Sequence, residues 1–132
     1  MNISHSFVQL ASPDRPRLLA FYRDVVGLPA REGMGPDALA IGENTTLSVT
    51  DHSEVRGATK EPARVIIDFM VDDIEAEQAR LARAGVKFTR DKGLEFWGGV
   101  ISTFNDPDGN TIQLMQFKPE LARDEEQPAG VA

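Results

Sequence analysis

Residues 104–117 read FNDPDGNTIQLMQF, and their pattern predicts two strands joined by a tight turn. The segment Asp106-Pro107-Asp108-Gly109 is typical of a type I turn, because Asp can accept a hydrogen bond, Pro presets φ, and Gly tolerates a left-handed backbone. Side chains alternate along a strand, so the residues after the turn divide between two faces. One face carries Thr111, Gln113, Met115 and Phe117, and the other carries Ile112 and Leu114.

Alternation and helical spacing predict the other elements on either side of this hairpin. Strands are expected at residues 2–10, 38–41, 46–50, 65–71, 86–89, 94–97 and 100–105. A first helix is expected to be capped by Ser12, with Pro13 in its first position, and to end at Gly27. A second is expected to follow Asp72 or Asp73 and to end at Gly85.

This order is a repeat of strand, helix and three strands, with a period of about sixty residues. The sequence therefore predicts an α+β protein of two βαβββ modules. The first module is placed at residues 1–57. A linker and the second module are placed at residues 58–118, and a disordered tail at 119–132. Matching the halves places His5 opposite Ile66 and Ser48 opposite Gln113.

Composition excludes several classes of protein. The 132 residues are 41% hydrophobic and 27% charged, as in ordinary globular domains. There is no apolar run near twenty residues and no signal-peptide pattern, so a cytoplasmic location is predicted. The absence of cysteine excludes disulfides and thiolate metal sites. A net charge of −7 without a basic cluster argues against nucleic acid and membrane partners.

With these elements in place, the chain resembles the vicinal oxygen chelate superfamily, which includes glyoxalase I, bleomycin-resistance proteins and extradiol dioxygenases. The resemblance covers residues 3–117. It is carried by ISHSFVQL, RLLAFYRDVVGL, FMVDDIEA, the WGG of residues 97–99, and DPDGNTIQL. It implies that the two modules form a curved mixed sheet around a cavity, with helices on the convex side. It also implies a homodimer.

The resemblance assigns a role to each strand face. The uniformly apolar faces are expected to pack under the helices: Val8, Leu10, Leu47, Val49, Ile67, Phe69, Val71, Ile112 and Leu114. The mixed faces are expected to line a small-molecule pocket, or else to pack a second interface such as a dimer contact. The candidate ligand-binding residues are His5, Phe7, Gln9, Ser48, Asp68, Met70, Trp97, Gln113, Met115 and Phe117.

Metal binding is predicted to be absent. The resemblance places the four metal-ligand positions at His5, Ser48, Ile66 and Gln113, of which only His5 and Gln113 offer a usable donor. A divalent ion needs at least three good nitrogen or oxygen ligands. A metal site would need His5 and Gln113 with Asp68 or His52 brought in by a shifted register.

Several candidates have an ordinary structural alternative. His5 is also explained as a hydrogen-bonded polar residue at a strand start. Asp68, a carboxylate on an otherwise apolar strand, must be solvated, paired or perturbed, and an internal ion pair would satisfy it. Trp97 can plug the sheet edge as well as stack on a planar ligand. Met70 and Met115 suit a pocket wall or an ordinary core.

Three functions remain open from the sequence. The leading hypothesis is a metal-independent protein that binds a small, partly aromatic molecule without converting it, without any cofactor. The second is a lyase, isomerase or dioxygenase of the glyoxalase type that uses a divalent metal such as Zn, Ni, Mn or Fe. The third is a protein-interaction module with a vestigial cavity. No catalytic residue is assigned, because fold alone does not fix function.

Overall fold

The computed structural model describes residues 1–124 of the chain. It divides into two units. Unit 1 contains residues 1–61 together with the turn at 106–109, and unit 2 contains residues 62–105 and 110–124. None of the helices in the described part of the chain is long and apolar enough to cross a membrane. The last residues of the predicted tail, 125–132, lie outside the described residues.

Unit 1 is a three-stranded sheet with one helical segment. Its elements are β1 (Ser6–Ala11), α1 (Arg15–Ala20), a π-helix (Phe21–Val26), β2 (Ala38–Ile41) and β3 (Thr45–Thr50). The strand order is β1-β3-β2, with β1 parallel and β2 antiparallel to β3. A turn at residues 42–44 joins β2 to β3, with Gly42 in a left-handed conformation.

The predicted start of the first helix was wrong by two residues. Ser12 still belongs to the sheet edge, because its N–H donates to the Thr50 carbonyl. Asp14 is the N-cap and accepts from the Arg17 N–H, so Pro16 rather than Pro13 occupies the first turn. The helix ends at Gly27 as predicted, at φ 89°. Its second half is π-helical, since the Gly27 N–H bonds to the Tyr22 carbonyl.

The third strand expected after this helix is reduced to one bridge, between Ala30 and Leu39. Pro29 has no N–H to donate, so it cannot extend the ladder in that direction. Gly33 and Gly35 then take left-handed conformations that carry the chain away from the sheet.

Unit 2 is a four-stranded sheet covered by a longer helix. Its elements are β4 (Ile66–Met70), α2 (Ile74–Arg83), β5 (Phe88–Leu94), β6 (Gly99–Asn105) and β7 (Thr111–Phe117). The strand order is β4-β7-β6-β5, with only β4 and β7 parallel. A 3₁₀-helix, Pro119–Leu121, occupies the start of the predicted tail.

The second helix follows the prediction, whereas the strand at residues 94–97 was wrong. Asp73 caps α2 by accepting from the Ala76 N–H, and Gly85 follows its end at φ 96°. Strand β5 instead continues from Phe88 to Leu94 through register shifts. Residues 95–98 then form a tight turn, in which the Gly98 N–H bonds to the Glu95 carbonyl and Gly98 is left-handed.

Each unit has its own apolar core. In unit 1 the buried side chains include Leu18, Leu19, Tyr22, Leu39, Leu47 and Val49. In unit 2 they include Phe69, Ile74, Leu81, Phe104, Ile112 and Leu114. Five of the nine residues predicted to pack under helices are therefore buried, and Val8, Leu10, Ile67 and Val71 are half-buried instead.

The turn at residues 106–109 is fixed by side chains of unit 1. The Tyr22 hydroxyl donates to Asp106 Oδ2 at 2.6 Å, and Arg17 donates to the Pro107 carbonyl at 2.7 Å. Asp106 Oδ1 accepts from the Asp108 N–H at 3.0 Å, which holds the turn closed. Burial of Tyr22, reinforced by the negative charge of Asp106, raises the pKa of its hydroxyl far above the usual range. The FY and DPDG segments thus form one buried hydrogen-bonded contact.

Candidate functional site

The strand pairings show which positions on the mixed faces of the two units correspond in the repeat. In unit 1 Phe7 pairs with Thr46 and Gln9 pairs with Ser48. In unit 2 Ile66 pairs with Thr111 and Asp68 pairs with Gln113. If Ser48 and Gln113 correspond, as the repeat predicts, then Phe7 rather than His5 corresponds to Ile66. The two sequence matches, of His5 with Ile66 and of Ser48 with Gln113, therefore cannot both hold in these registers, and His5 precedes β1.

The mixed face of unit 1 contains a hydrogen-bonded polar cluster around Thr46. Its hydroxyl oxygen lies 2.6 Å from His5 Nε2 and accepts from Arg31 Nε at 3.0 Å. The Arg31 guanidinium also donates to the Gly42 and Thr45 carbonyls. Thr46 is fully buried, and the His5 ring lies 5.1 Å from the half-exposed Phe7 ring. The alternative explanation of His5, a hydrogen-bonded polar residue, is the one that this geometry fits.

A pocket of about 380 Å³ opens beside this cluster in unit 1. Of the predicted site residues only Ser48 lines it. The remaining lining residues come from α1, the loop before β2 and the end of β3: Arg15, Met34, Gly35, Pro36, Asp37, Val49, Thr50 and Asp51. Arg15 is paired with Asp37 and lies 3.6 Å from Asp51. Because the one guanidinium already faces two carboxylates, the pocket does not favour an anion.

The mixed face of unit 2 is arranged in rows across its four strands. A polar row runs from Asp68 through Gln113 and Thr103 to Arg90. Arg90 is paired with Glu95 at 2.8 Å. The Asp68 carboxylate has neither a hydrogen bond nor an ion pair within residues 1–124, so the internal pair considered from the sequence does not form there. Partial loss of solvent around Asp68 raises its pKa.

The neighbouring rows of unit 2 are apolar and exposed. Met70 pairs with Met115, and Phe117 pairs with Gly99. The exposed fractions are 66% for Met70 and 51% for Phe117, although large apolar side chains are usually buried. This face therefore offers apolar contact area beside an unpaired carboxylate.

Trp97 extends the apolar area because Gly99 makes room for it. The Trp97 and Phe117 rings stack with centroids 6.4 Å apart and planes at 29°. A Cβ atom at residue 99 would lie 2.1 Å from the Trp97 ring, so only glycine allows the indole to lie flat against this strand. Trp97 remains 40% exposed. A planar ligand has a preformed surface on which to stack.

The structure thus distributes the predicted site residues between two faces. His5, Phe7, Gln9 and Ser48 belong to unit 1, and Asp68, Met70, Trp97, Gln113, Met115 and Phe117 belong to unit 2. The sequence analysis missed Arg31 as a partner of Thr46, because nothing in a loop sequence indicates which backbone carbonyls an arginine will reach. It also missed Gly99, although the WGG segment contained the signal.

A family model for the Glyoxalase/Bleomycin resistance protein/Dioxygenase superfamily matches residues 4–114. The chain belongs to this superfamily. The recognised resemblance and the α+β fold are thereby confirmed. None of the curated proteins searched matches the chain.

Several solved structures share the fold of the present chain. TnmS3, an antibiotic binding protein from Streptomyces sp. CB03234, is 28% identical with a TM-score of 0.68, covering 89% of this chain and 99% of that one. A superfamily member from Sphaerobacter thermophilus DSM 20745 is 22% identical with a TM-score of 0.67, covering 88% and 98%. Lactoylglutathione lyase from Agrobacterium tumefaciens is 19% identical with a TM-score of 0.63, covering 84% and 91%. The last two likenesses concern the fold alone.

The residues at the metal-ligand positions that the resemblance implies do not fit a divalent metal. The four ligand positions that the resemblance implies carry His5, Ser48, Ile66 and Gln113, and Phe7 takes the place of His5 if Ser48 corresponds to Gln113. Phe7 and Ile66 have no donor atom, and the Ser48 hydroxyl and Gln113 amide are weak ligands. Within residues 1–124, no three His, Asp or Glu side chains come together in a way that could hold a metal ion. No catalytic step through a metal follows from these residues.

Proposed function

We propose that this protein binds a small, partly aromatic molecule without a metal and releases it unchanged. The observation that carries the proposal is the exposed face of unit 2, where Trp97 and Phe117 stack beside Met70 and Met115. Aromatic and methionine side chains give large, adaptable contact area for a planar ligand. The 28% identity to an antibiotic binding protein supports the same reading.

Polar groups beside the apolar side chains of unit 2 give this binding its orientation. Asp68 and Gln113 offer hydrogen-bond acceptors on the same face of unit 2. Binding pockets combine a mostly apolar wall with a few such polar groups. The Thr46 hydroxyl, which lies 2.6 Å from His5 Nε2, is fully buried and cannot reach a substrate, so the arrangement favours binding over covalent chemistry.

We further propose a cytoplasmic homodimer. Mixed, half-apolar faces are stabilised when a second chain removes them from water. Sedimentation at micromolar concentration is expected to give a species of twice the 14.5 kDa chain mass. Observation of the 14.5 kDa species alone would exclude the dimer.

A thermal-shift panel tests the binding function. The purified protein is first treated with a chelator and then heated with planar aromatic natural products, including antibiotics, and with sugars and fatty acids as comparison classes. Specific binding to the folded state raises the melting temperature by an amount that grows with the logarithm of the ligand excess over Kd. We expect aromatic members alone to raise it. If no class of compound raises the melting temperature, the hypothesis of a protein-interaction module is favoured. If a compound raises it only when metal is added, the hypothesis of a metal-dependent enzyme is favoured.

A further inference from the structure

Three kinds of side chain follow one another in a fixed order along β7 and its neighbours. Gln113 lies opposite Asp68, Met115 lies opposite Met70, and Phe117 is stacked with Trp97. A strand advances about 3.3 Å per residue, so the Asp68–Gln113 row and Phe117 are about 13 Å apart along the strand. Along β7, this face therefore presents first the carboxylate, then the two methionines and then the two aromatic rings.

The carboxylate end is the charged group available to a ligand. Arg90, at the far side of the same row, is already paired with Glu95. Asp68 has no such partner among residues 1–124. The Gln113 amide beside it can accept a second hydrogen bond from the same donor group. A carboxylate in partly apolar surroundings is best satisfied by a cation that also donates hydrogen bonds.

The aromatic end is built for a flat, uncharged ring. The absence of a Cβ at Gly99 brings the Trp97 indole against the strand and leaves its outer face exposed. Between the two ends, Met70 and Met115 present flexible thioethers that adapt to an alkyl or other apolar chain.

We propose that this face recognises an elongated amphiphilic cation: a planar ring on Trp97 and Phe117, an apolar chain over Met70 and Met115, and an amine or guanidinium at Asp68. The separation between ring and cation is about 13 Å, set by the strand rise. This inference rests on the proposed binding function and narrows its ligand class. Anionic amphiphiles are disfavoured, because their charged end would meet Asp68. A short aromatic amine can contact either Asp68 or the aromatic pair, but not both at once.

The experiment uses the only tryptophan in the chain, Trp97, as its reporter. The probes are uncharged nitronaphthyl rings, which quench indole fluorescence, joined by alkyl chains of increasing length to a primary amine. Matched series end in an alcohol or a carboxylate. At neutral pH we expect amine affinity to peak where ring and nitrogen are about 13 Å apart. At that length the amine should bind about tenfold more tightly than the alcohol, as expected for one charged hydrogen bond.

Three variants separate the two ends of the face. Asp68→Asn should remove the preference for amine over alcohol and leave alcohol affinity unchanged. Gly99→Ala should weaken every member of the series, because the new methyl displaces Trp97, while the amine preference persists. Gly93→Ala is the matched control: it lies in β5 of the same unit, and its Cβ would meet the flexible Arg90 guanidinium at 3.3 Å and the Asp91 carbonyl oxygen at an ordinary 3.9 Å. It should leave all affinities unchanged.

Two results would overturn the proposal. In the first, amines and alcohols of every length bind equally well to wild type and to Asp68→Asn. The protein then still binds small molecules, but the proposed preference for an amine at a fixed distance from the ring is wrong. In the second, no member of the series quenches Trp97, although the thermal-shift panel has found a ligand. Loss of binding in both experiments would instead count against the proposed function itself.

Discussion

The two units carry related strands, yet the corresponding positions on their mixed faces are in different states. In unit 1, Thr46 lies opposite Phe7, is fully buried, and is hydrogen-bonded to Arg31 and His5. In unit 2, Thr111 lies opposite Ile66, and within residues 1–124 its side chain makes no hydrogen bond. Its neighbour Asp68 is unpaired over the same residues. The Thr46 hydroxyl of unit 1 is already hydrogen-bonded, whereas the exposed Asp68 carboxylate of unit 2 is available to a ligand.

Because of this difference, the mixed faces of the two units are expected to have different roles. A satisfied buried cluster stabilises the fold, and removing one partner leaves another without its hydrogen bond. An unpaired, exposed group contributes little to stability, so its chemistry is available for recognition. Substitutions in unit 1 are therefore expected to lower stability, and those in unit 2 to change binding.

The largest loss of stability is expected from Tyr22→Phe, in the contact between unit 1 and its turn at residues 106–109. The substitution removes the donor to Asp106 Oδ2 inside a buried site. We expect the free energy of unfolding in urea to fall by about 1–3 kcal/mol. A double-mutant cycle with Asp106→Asn should give a coupling energy of at least about 1 kcal/mol. Additive effects would show that the hydrogen bond is not the source.

Ionisation of Tyr22 provides a second large effect. It is the only tyrosine, so tyrosinate absorbance reports this residue alone. Burial, then the charge of Asp106, raises its pKa in the folded state. Its contribution to stability is therefore full below the unfolded pKa near 10.0 and is lost as pH rises. We expect no tyrosinate until circular dichroism shows unfolding. Titration near pH 10.0 with an unchanged spectrum would contradict the buried contact.

A matched pair of threonine substitutions tests the comparison itself. Thr46→Val leaves Arg31 Nε without its acceptor and is expected to cost about 1–2 kcal/mol in unfolding free energy. Thr111→Val, at the corresponding position of unit 2, removes no side-chain hydrogen bond within residues 1–124 and should change stability by less than about 0.5 kcal/mol. Equal losses in the two variants would mean that the two faces do not differ as described.

The smallest expected effect is the pH dependence of Asp68→Asn. Partial burial raises the pKa of Asp68, so the ionised form disfavours folding; wild type gains stability as pH falls through the folded pKa towards 3.8. The variant should be slightly more stable than wild type at neutral pH, and the gap should close at low pH. In Asp91→Asn the trend should reverse, because the hydrogen bond from Gln78 lowers the pKa of Asp91. Parallel profiles for both variants would refute the assignment.

The strand and helix pattern could be predicted because it follows local alternation and capping. Gly27, Gly85 and Gly109 mark ends and turns that only a left-handed backbone completes, and each is left-handed in the structure. Strand β2 and the β7 faces also follow directly from the residue pattern. The failures occurred where a longer-range contact outweighed the local signal. Ser12 pairs with Thr50 instead of capping, and Trp97 sits in a turn instead of a strand.

The candidate site was harder to predict from the sequence, because the register of a strand depends on the strand with which it pairs. A one-residue shift changes the face of a side chain, and a two-residue shift changes its partner while keeping the face. The sequence matched both His5 to Ile66 and Ser48 to Gln113, although the strand pairings allow only one of these two matches. The cluster around Thr46 depends on Arg31, which is fifteen residues away along the chain.

The central claim is that side chains, without a metal, hold the ligand of this protein. Native mass spectrometry of chelator-treated protein with a ligand from the thermal-shift panel tests it directly, with and without added Zn, Ni, Mn or Fe. The account predicts the same protein–ligand complex in every sample, substoichiometric metal after desalting, and no change in His5→Ala. A complex that forms only with stoichiometric metal, and that is lost in His5→Ala, would contradict it.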